Sequence, residues 1–505
     1  MYDVIIIGSG IGGISCAARL AKNGLKVLVL EKAEHIGGTS FVFNRGLYSF
    51  PMGPLSFGYY KYIEDFFKDI GIDRKIEYKR NHFQLVSPFL NIIYSSPLDI
   101  LKEKLKEIFP KEKNINVFFT KMEDIIASTR DINVWHPDYR LDSDLDQESR
   151  RPNMGMEKKI ALIDEYSRTP SRNMIDSYFS DPVLKNLLGS QGTTPPFMSV
   201  LNLAFMWNIV SSEGIWFPSC GIHGLNNLAK DVVLQYGGSI KLRSEVKEII
   251  LEKGRAVGVK TKNRDEYASR WVVSNADYKK TFLHMVDLNE VPTGFIEKIK
   301  KAPYTGTEVC VYLGIDPKKV DLGAMKAAHF FYRHRLDPSK SDPEDFENRE
   351  IEICLWSENA PDLVPENKIA LVLRAGFPYE HIAHFRTGAK KRRDGYKGFK
   401  DNLTNRLIAV AENVIPGLFS AIDRIESATP LTYEDWGGRY RGSIAGWTWS
   451  FGYQGVLGKR LLVRTPVKNL LMVGIYASSE LFMGGMSTAV FTARCVSDWI
   501  IKNMD

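Results

Sequence analysis

Residues 3–38 read DVIIIGSGIGGISCAARLAKNGLKVLVLEKAEHIGG. The apolar run from Val4 to Ile7 has the character of a strand buried on both faces. It breaks into Gly8-Ser9-Gly10-Ile11-Gly12-Gly13, which contains the pattern G-x-G-x-x-G. Ile14, Ala17, Ala18 and Ala21 then recur at helical spacing, and Gly24 is placed as the stop. A second apolar strand, Val27 to Leu30, ends in Glu31, with Lys32 after it. Each piece has a chemical reason. Gly8 permits a tight turn, Gly10 lets bare backbone approach a pyrophosphate, and Gly13 lets the helix lie close to the strand. The free amides at the helix start hold phosphate oxygens. Glu31, 18 residues past Gly13, is placed to accept hydrogen bonds from ribose hydroxyls. The complete strand–glycine–helix–strand–acid unit predicts a dinucleotide-binding α/β domain.

Gly37-Gly38 follows Glu31 within seven residues and gives a second point of bare backbone, with Thr39 next; the chain then runs FNRGLYSFPMGPLSF, carrying Gly53-Pro54. On Gly8, Gly10, Gly13, Glu31, Gly37, Gly38 and Gly53-Pro54 the sequence resembles the FAD-dependent phytoene desaturase, carotenoid isomerase and retinol saturase group of the flavin amine oxidase superfamily. The resemblance implies FAD as cofactor. It also implies a Rossmann-type FAD-binding domain joined to a substrate domain built on a mixed or antiparallel sheet. The cofactor contacts it implies are Gly8, Gly10, Ile11, Gly12, Gly13, Glu31, Lys32, Gly37, Gly38, Thr39, Gly53 and Pro54. Further along they are Val246, presenting its backbone to the adenine, and Asn275 in VVSNAD (272–277). Gly474, on the ribityl or pyrophosphate side, and Gly485 and Met486, at the start of a helix that suits the flavin pyrimidine end, complete the set. The family usually carries an acid directly after the glycine equivalent to Gly474. Here that residue is Ile475, and the next acid is Glu480.

The chain has 505 residues, 44% hydrophobic and 25% charged, enough for two domains with sizeable cores. A net charge of +7 over that length reads as a solvated surface. It suits an anionic membrane surface and is too diffuse for nucleic acid. The five cysteines lie far apart without a C-x-x-C, which supports neither a dithiol centre nor a metal site and suits a reducing interior. The apolar N-terminal run lacks a basic leader and belongs to the nucleotide fold. No stretch of about 20 uncharged apolar residues occurs. A cytoplasmic protein is expected, with peripheral contact on the inner face of the membrane.

Along the chain, 59–72 reads as an amphipathic helix. Residues 97–110 read as a second one, with Leu98, Leu101, Leu105 and Ile108 near one face and lysines elsewhere. It either packs on its own domain or rests on lipid. Residues 139–160 are polar enough for a loop. The apolar stretch 195–210 suits either a hydrocarbon pocket or a core. A glycine pair at 221 and 224 precedes a helix over 225–236, and His223 between them reads as a turn residue without a role. Two strands meet at a hairpin at Lys253-Gly254. Residues 307–314 alternate as a half-buried strand, with 329–332 and 350–357 as sheet partners. Glu308 is the carboxylate that this alternation puts on one face with Cys310 and Tyr312. A buried strand ends at Gly474, and Gly484-Gly485-Met486 open a last helix, 487–501. The FAD-binding domain is assigned to 1–75, 215–290 and 420–505, and the substrate domain to 76–214 and 291–419.

Three functional readings are open. The first is an FAD-dependent oxidoreductase acting on carbon–carbon bonds of a long apolar isoprenoid, carotenoid, retinoid or other lipid chain. It would desaturate, saturate or isomerise by hydride exchange at flavin N5. The second is an amine-oxidase-type enzyme acting on an amine or a porphyrinogen, with Trp447, Trp449 and Tyr453 as cage candidates. The third is a non-catalytic relative. Under the first reading no essential protein acid or base is expected, and Glu308 is the candidate if one exists. A single G-x-G-x-x-G means no built-in nicotinamide domain, so electrons pass to or from a separate quinone, oxygen or transiently bound NAD(P).

Overall fold

The computed structural model describes residues 1–94, 97–131, 154–190, 198–335, 342–448, 462–479 and 484–504. Most of 139–160, all of 195–197, Trp449, Tyr453 and Glu480 lie outside the described residues. The opening unit forms as its pattern requires. β1 (Tyr2–Ile7) and β2 (Val27–Leu30) pair in parallel, Val4 with Val27 through Ile7 with Leu30. α1 (Ile11–Lys22) crosses between them. Every residue of β2 is buried, which fits a strand covered on both faces. α1 presents Ala17, Ala18, Ala21 and Cys16, all buried. Such small side chains let it sit between the helices Gly221–Gln235 and Gly484–Lys502.

The sheet grows outward from this pair. Ser239–Lys241 adds to β2, and Glu266–Ser274 adds in parallel to β1, with Leu470–Met472 parallel beside it. The hairpin Val246–Glu252 and Arg255–Thr261 closes the edge. Its turn holds Lys253 at φ 51° and Gly254 at φ 72°, the paired left-handed conformation that suits a two-residue hairpin.

A second seven-stranded sheet runs Ile422–Ala428, Glu308–Ile315, Ile369–Gly376, Glu350–Leu355, His329–Arg333, Phe83–Val86 and Asn91–Tyr94. It is antiparallel except where His329–Arg333 meets Phe83–Val86. Alternation divides its faces. Val309, Val311, Leu313 and Ile315 pack into one core with Leu403 and Leu407 of the helix Tyr396–Glu412, while Cys310 and Tyr312 join the core of the nucleotide domain. Two boundaries move. Ile422–Ala428 pairs with Glu308–Ile315, so the sheet of the second domain extends past 420. Tyr78–Asn81 pairs with Ile215–Pro218, which ties the two domains together there. The strand IDRIESA carries charge on its outward side, as an edge strand does.

Helices fill the remaining layer around Phe118, Phe119 and Trp207. Among them Asp99–Ile108 takes the first of its two readings, packing on its own domain. Its Leu101 and Leu105 are buried in the helical core. Lys102, Lys104 and Lys106 pair with Asp99, Glu107 and Glu103 at 3.4, 2.9 and 2.6 Å. The face that could have entered lipid is used for packing, and the basic face is neutralised by neighbouring acids. Membrane contact therefore loses the helix that motivated it. Among the described residues no helix is long and apolar enough to cross a membrane.

Candidate active site

The glycine loop builds a cradle of bare backbone. No side chain caps α1, and its first turn carries no acid, so its leading N–H groups have no partner within the helix. Gly37, at φ 102°, donates its N–H to the Ser9 carbonyl at 3.0 Å, and a Cβ on Gly38 would lie 3.3 Å from Gly10 Cα. Asn275 is the centre of the cluster. Its N–H donates to the Ile7 carbonyl at 2.8 Å, and its side chain meets the space beside Gly8, Gly10, Gly12, Gly13 and Gly474. A Cβ on Gly12 would lie 2.8 Å from Gly474 Cα, and one on Gly13 would overlap the Gly8 carbonyl oxygen. Asn226, which the sequence reading missed, has a buried Oδ1 without a hydrogen-bond partner, and its amide flanks Gly37. An uncapped helix start, glycines in contact and an orphaned acceptor fit a dinucleotide.

Glu31 is buried. Oε2 accepts from the Ser9 N–H and Oγ–H, both at 2.8 Å, and Oε1 accepts from the Ala33 N–H at 2.8 Å. The carboxylate is thereby fixed in place, with lone pairs left for hydroxyls. Ser244 donates to the Glu31 carbonyl at 2.8 Å, which brings the start of the strand at Val246 alongside. Lys32 is exposed, with its ammonium against Gly438.

At the other end, Arg439 donates to Thr39 Oγ1 at 2.9 Å. It adds a cation to the cradle that no motif announced. A Cβ on Gly53 would lie 2.8 Å from the Thr39 carbonyl, and Pro54 follows. Ser40 donates to Met486 Sδ at 3.2 Å, and Ser487 donates to the Gly58 carbonyl at 2.6 Å, so the start of the last helix holds the loop that contains Gly53 and Pro54. Gly474, at φ 90°, donates to Thr492 Oγ1 at 2.9 Å. Ile475 is half-buried beside Gly485 and offers no acceptor. His223 is half-buried on the helix Gly221–Gln235, and burial lowers its pKa.

The second sheet turns a charged row toward the nucleotide domain. Tyr433 donates to Glu308 Oε1 at 2.8 Å, and Arg374 lies 3.8 Å from the same oxygen. Arg374 Nε is 3.2 Å from Glu352 Oε2. Glu352 Oε1 is 2.7 Å from His329 Nδ1, and His329 Nε2 is 2.7 Å from Ser56 Oγ. Glu308 is thus one member of a network rather than a lone acid. The rest escaped notice because register, not spacing, pairs Glu352 with Arg374; the available signal was a charge inside each of the apolar runs EIEICL and IALVLRAG. Burial pushes the neighbouring Cys310 thiol up to about 12, which leaves it protonated and unreactive.

Burial alone would raise the Glu352 carboxyl, but Arg374 and the hydrogen bond with His329 outweigh it and bring the group down to about 2. A depressed carboxylate adds stability above its ordinary value and loses it as pH falls toward the folded value. The stability advantage of the wild type over Glu352→Gln should therefore be flat from pH 7 to about 5 and shrink below 4.5. Urea unfolding midpoints across that range test it, and an advantage as large at pH 3 as at pH 7 would contradict it.

A Rossmann cradle closed by the C-terminal helix and faced by a second sheet defines a dinucleotide-binding fold with a covered site. Residues 6–70 match the model of the NAD(P)-binding Rossmann-like domain. The chain is 22% identical to the all-trans-retinol 13,14-reductase of Danio rerio, over 99% of this chain and 86% of that protein. It is 26% identical to the chloroplastic prolycopene isomerase of Arabidopsis thaliana, over 88% and 74%. A double mutant of putrescine oxidase shares the fold with a TM-score of 0.65 at 13% identity, over 99% of each chain. The chain is thus similar along most of its length to the retinol reductase and the prolycopene isomerase, and it shares its fold with an amine oxidase.

Proposed function

We propose that this protein is an FAD-dependent oxidoreductase acting on carbon–carbon double bonds of a long apolar isoprenoid, with a retinoid or carotenoid-like polyene as the substrate class. The observation that carries the reading is the near full-length relationship to the retinol reductase and the prolycopene isomerase, which includes the second sheet as well as the glycine loop. Glu31, with the strand start at Val246 beside it, supports FAD rather than a mononucleotide, since an acid at the end of the second strand suits an adenosine ribose. When bound, the flavin supplies hydride exchange with carbon.

The chain's own residues bind, align and shield. The α1 amides with Gly10, Gly12 and Gly13 would hold the pyrophosphate, Glu31 the ribose, and Arg439 would offset phosphate charge. The start of the last helix, at Gly485 and Met486, would place a positive dipole end toward the flavin ring. The second sheet, with Cys310 and Tyr312 buried and Trp356 buried just past the strand Glu350–Leu355, would exclude water from the face opposite. Electrons would reach or leave the site through a separate quinone, oxygen or transiently bound NAD(P), since the described residues build one nucleotide cradle.

An amine substrate is less well supported. Trp447 is buried, donates its indole N–H to the Tyr476 carbonyl at 3.0 Å and packs edge-on against Tyr304 at 4.8 Å, which makes it a core residue rather than the wall of an open cage. A visible flavin spectrum and anaerobic mixing test the reading. Retinoids or polyenes should change the flavin spectrum or be isomerised, while diamines leave it unchanged. Bleaching by amines alone would reverse the assignment, and absence of any flavin would support a non-catalytic relative.

A further inference from the structure

We propose that Ser56, His329 and Glu352 form a built-in proton relay, in which Ser56 exchanges the proton that accompanies hydride transfer; this rests on the carbon–carbon reading above. Three elements converge to make it. Ser56 lies in the loop that Gly53 packs against Thr39 and that Ser487 fastens at Gly58. His329 and Glu352 come from two neighbouring antiparallel strands of the second sheet. His329 is 3% exposed and has both ring nitrogens engaged at 2.7 Å.

The chemistry follows from the donors available. Glu352 is held as a carboxylate by Arg374 at 3.2 Å, and a carboxylate only accepts. His329 must therefore carry its proton on Nδ1. Nε2 is then free to accept from the Ser56 hydroxyl when the ring is neutral, and to donate to it when the ring is charged. Either protonation state keeps both hydrogen bonds, so a proton can pass without rearrangement. Cys354, its register partner, and the Phe83 ring at 5.6 Å also flank the imidazole, and neither competes for its proton.

Hydrogenating a C=C bond delivers a hydride, with its two electrons, to one carbon and a proton to the other. In that direction the Ser56 O–H bond breaks as a C–H bond forms, and the His329 Nε2–H replaces the lost proton. The imidazole is left neutral and is recharged through Ser56, whose half-buried hydroxyl takes a proton from water as it passes its own to Nε2. Desaturation runs the same transfer backward. Ser56 is the group assigned to meet the reacting carbon; His329 and Glu352 act through it. A network that only anchored the loop would need the hydrogen bonds but not the mobile proton.

The test uses the flavin-loaded protein and two readouts. In wild type, ¹⁵N NMR of histidine-labelled protein should show His329 with Nδ1 protonated, and Glu352→Gln should shift that tautomer. With a polyene that changes the flavin spectrum, Ser56→Ala and His329→Gln should keep flavin content and slow the chemical step by about 10²–10⁴-fold, with loss of the solvent isotope effect. If His329 carries its proton on Nε2 alone, the relay is wrong even where no substrate is found. If both variants turn over within about threefold of wild type, the relay is wrong although the carbon–carbon reading stands.

Discussion

Gly10→Val is expected to give a folded protein that has lost its yellow colour, whereas Gly13→Ala, a smaller change three residues on, is expected to damage the fold itself. The difference lies in what each new side chain meets. Gly10 has φ −57°, so its backbone accepts any residue. A Cβ there would lie 2.8 Å from Asn275 Nδ2, the end of a side chain that can turn away. The valine methyl groups would then occupy the space in front of the uncapped α1 amides, where phosphate must approach. At Gly13 the Cβ would overlap the Gly8 carbonyl oxygen, which is backbone and fixed by the sheet. Forcing that contact pushes α1 off β1, and overpacking of this kind costs about 1–3 kcal/mol or more. Gly294→Ala is the control, since its Cβ meets nothing within 4 Å. Visible absorbance and unfolding midpoints decide the outcome: flavin content should fall at least about tenfold in Gly10→Val, about 1.4 kcal/mol in binding, with its midpoint near wild type. A yellow Gly10→Val protein, or a Gly13→Ala protein as stable as wild type, would remove this account of the cradle.

That contrast also shows what was legible in the chain. The opening unit could be read because its determinants are local: a strand, a turn, a helix start and an acid within 36 contiguous residues, each limited by backbone geometry. The hairpin at Lys253-Gly254 and the alternation of 307–314 were readable for the same reason. What stayed hidden depends on contacts between distant segments. Arg439 reaches Thr39 across 400 positions, and Ser56 meets His329 across 273; no periodicity encodes either. The strand Ile422–Ala428 was placed in the wrong domain because its partner is chosen by register with Glu308–Ile315, not by proximity in sequence. The helix Asp99–Ile108 has an amphipathic pattern that a lipid surface and a protein core satisfy equally, and only the position of Leu101 and Leu105 in the helical core separates them.

Arg374→Met is expected to destabilise the protein by about 3–5 kcal/mol, the usual cost of leaving a buried charge without its partner. Arg374 lies between two carboxylates, 3.2 Å from Glu352 and 3.8 Å from Glu308, and its side chain is 20% exposed. The two acids together hold its pKa above the ordinary guanidinium value against the opposing effect of burial. Methionine fills much of the volume but leaves both acids facing inward, and one must then take up a proton to remain folded. The effect should divide unequally when each acid is neutralised in turn. Glu352→Gln on the Arg374→Met background should recover more stability than Glu308→Gln, because Glu352 is closer and Glu308 keeps the Tyr433 hydroxyl at 2.8 Å. Arg374→Lys should recover only part, since an ammonium cannot offer the guanidinium's spread of donors to two carboxylates. Urea unfolding of the single and double variants gives the coupling energies directly. A loss below about 1 kcal/mol would mean that the row of charges is hydrated, and the sheet would then have to be held against the nucleotide domain by its apolar residues alone.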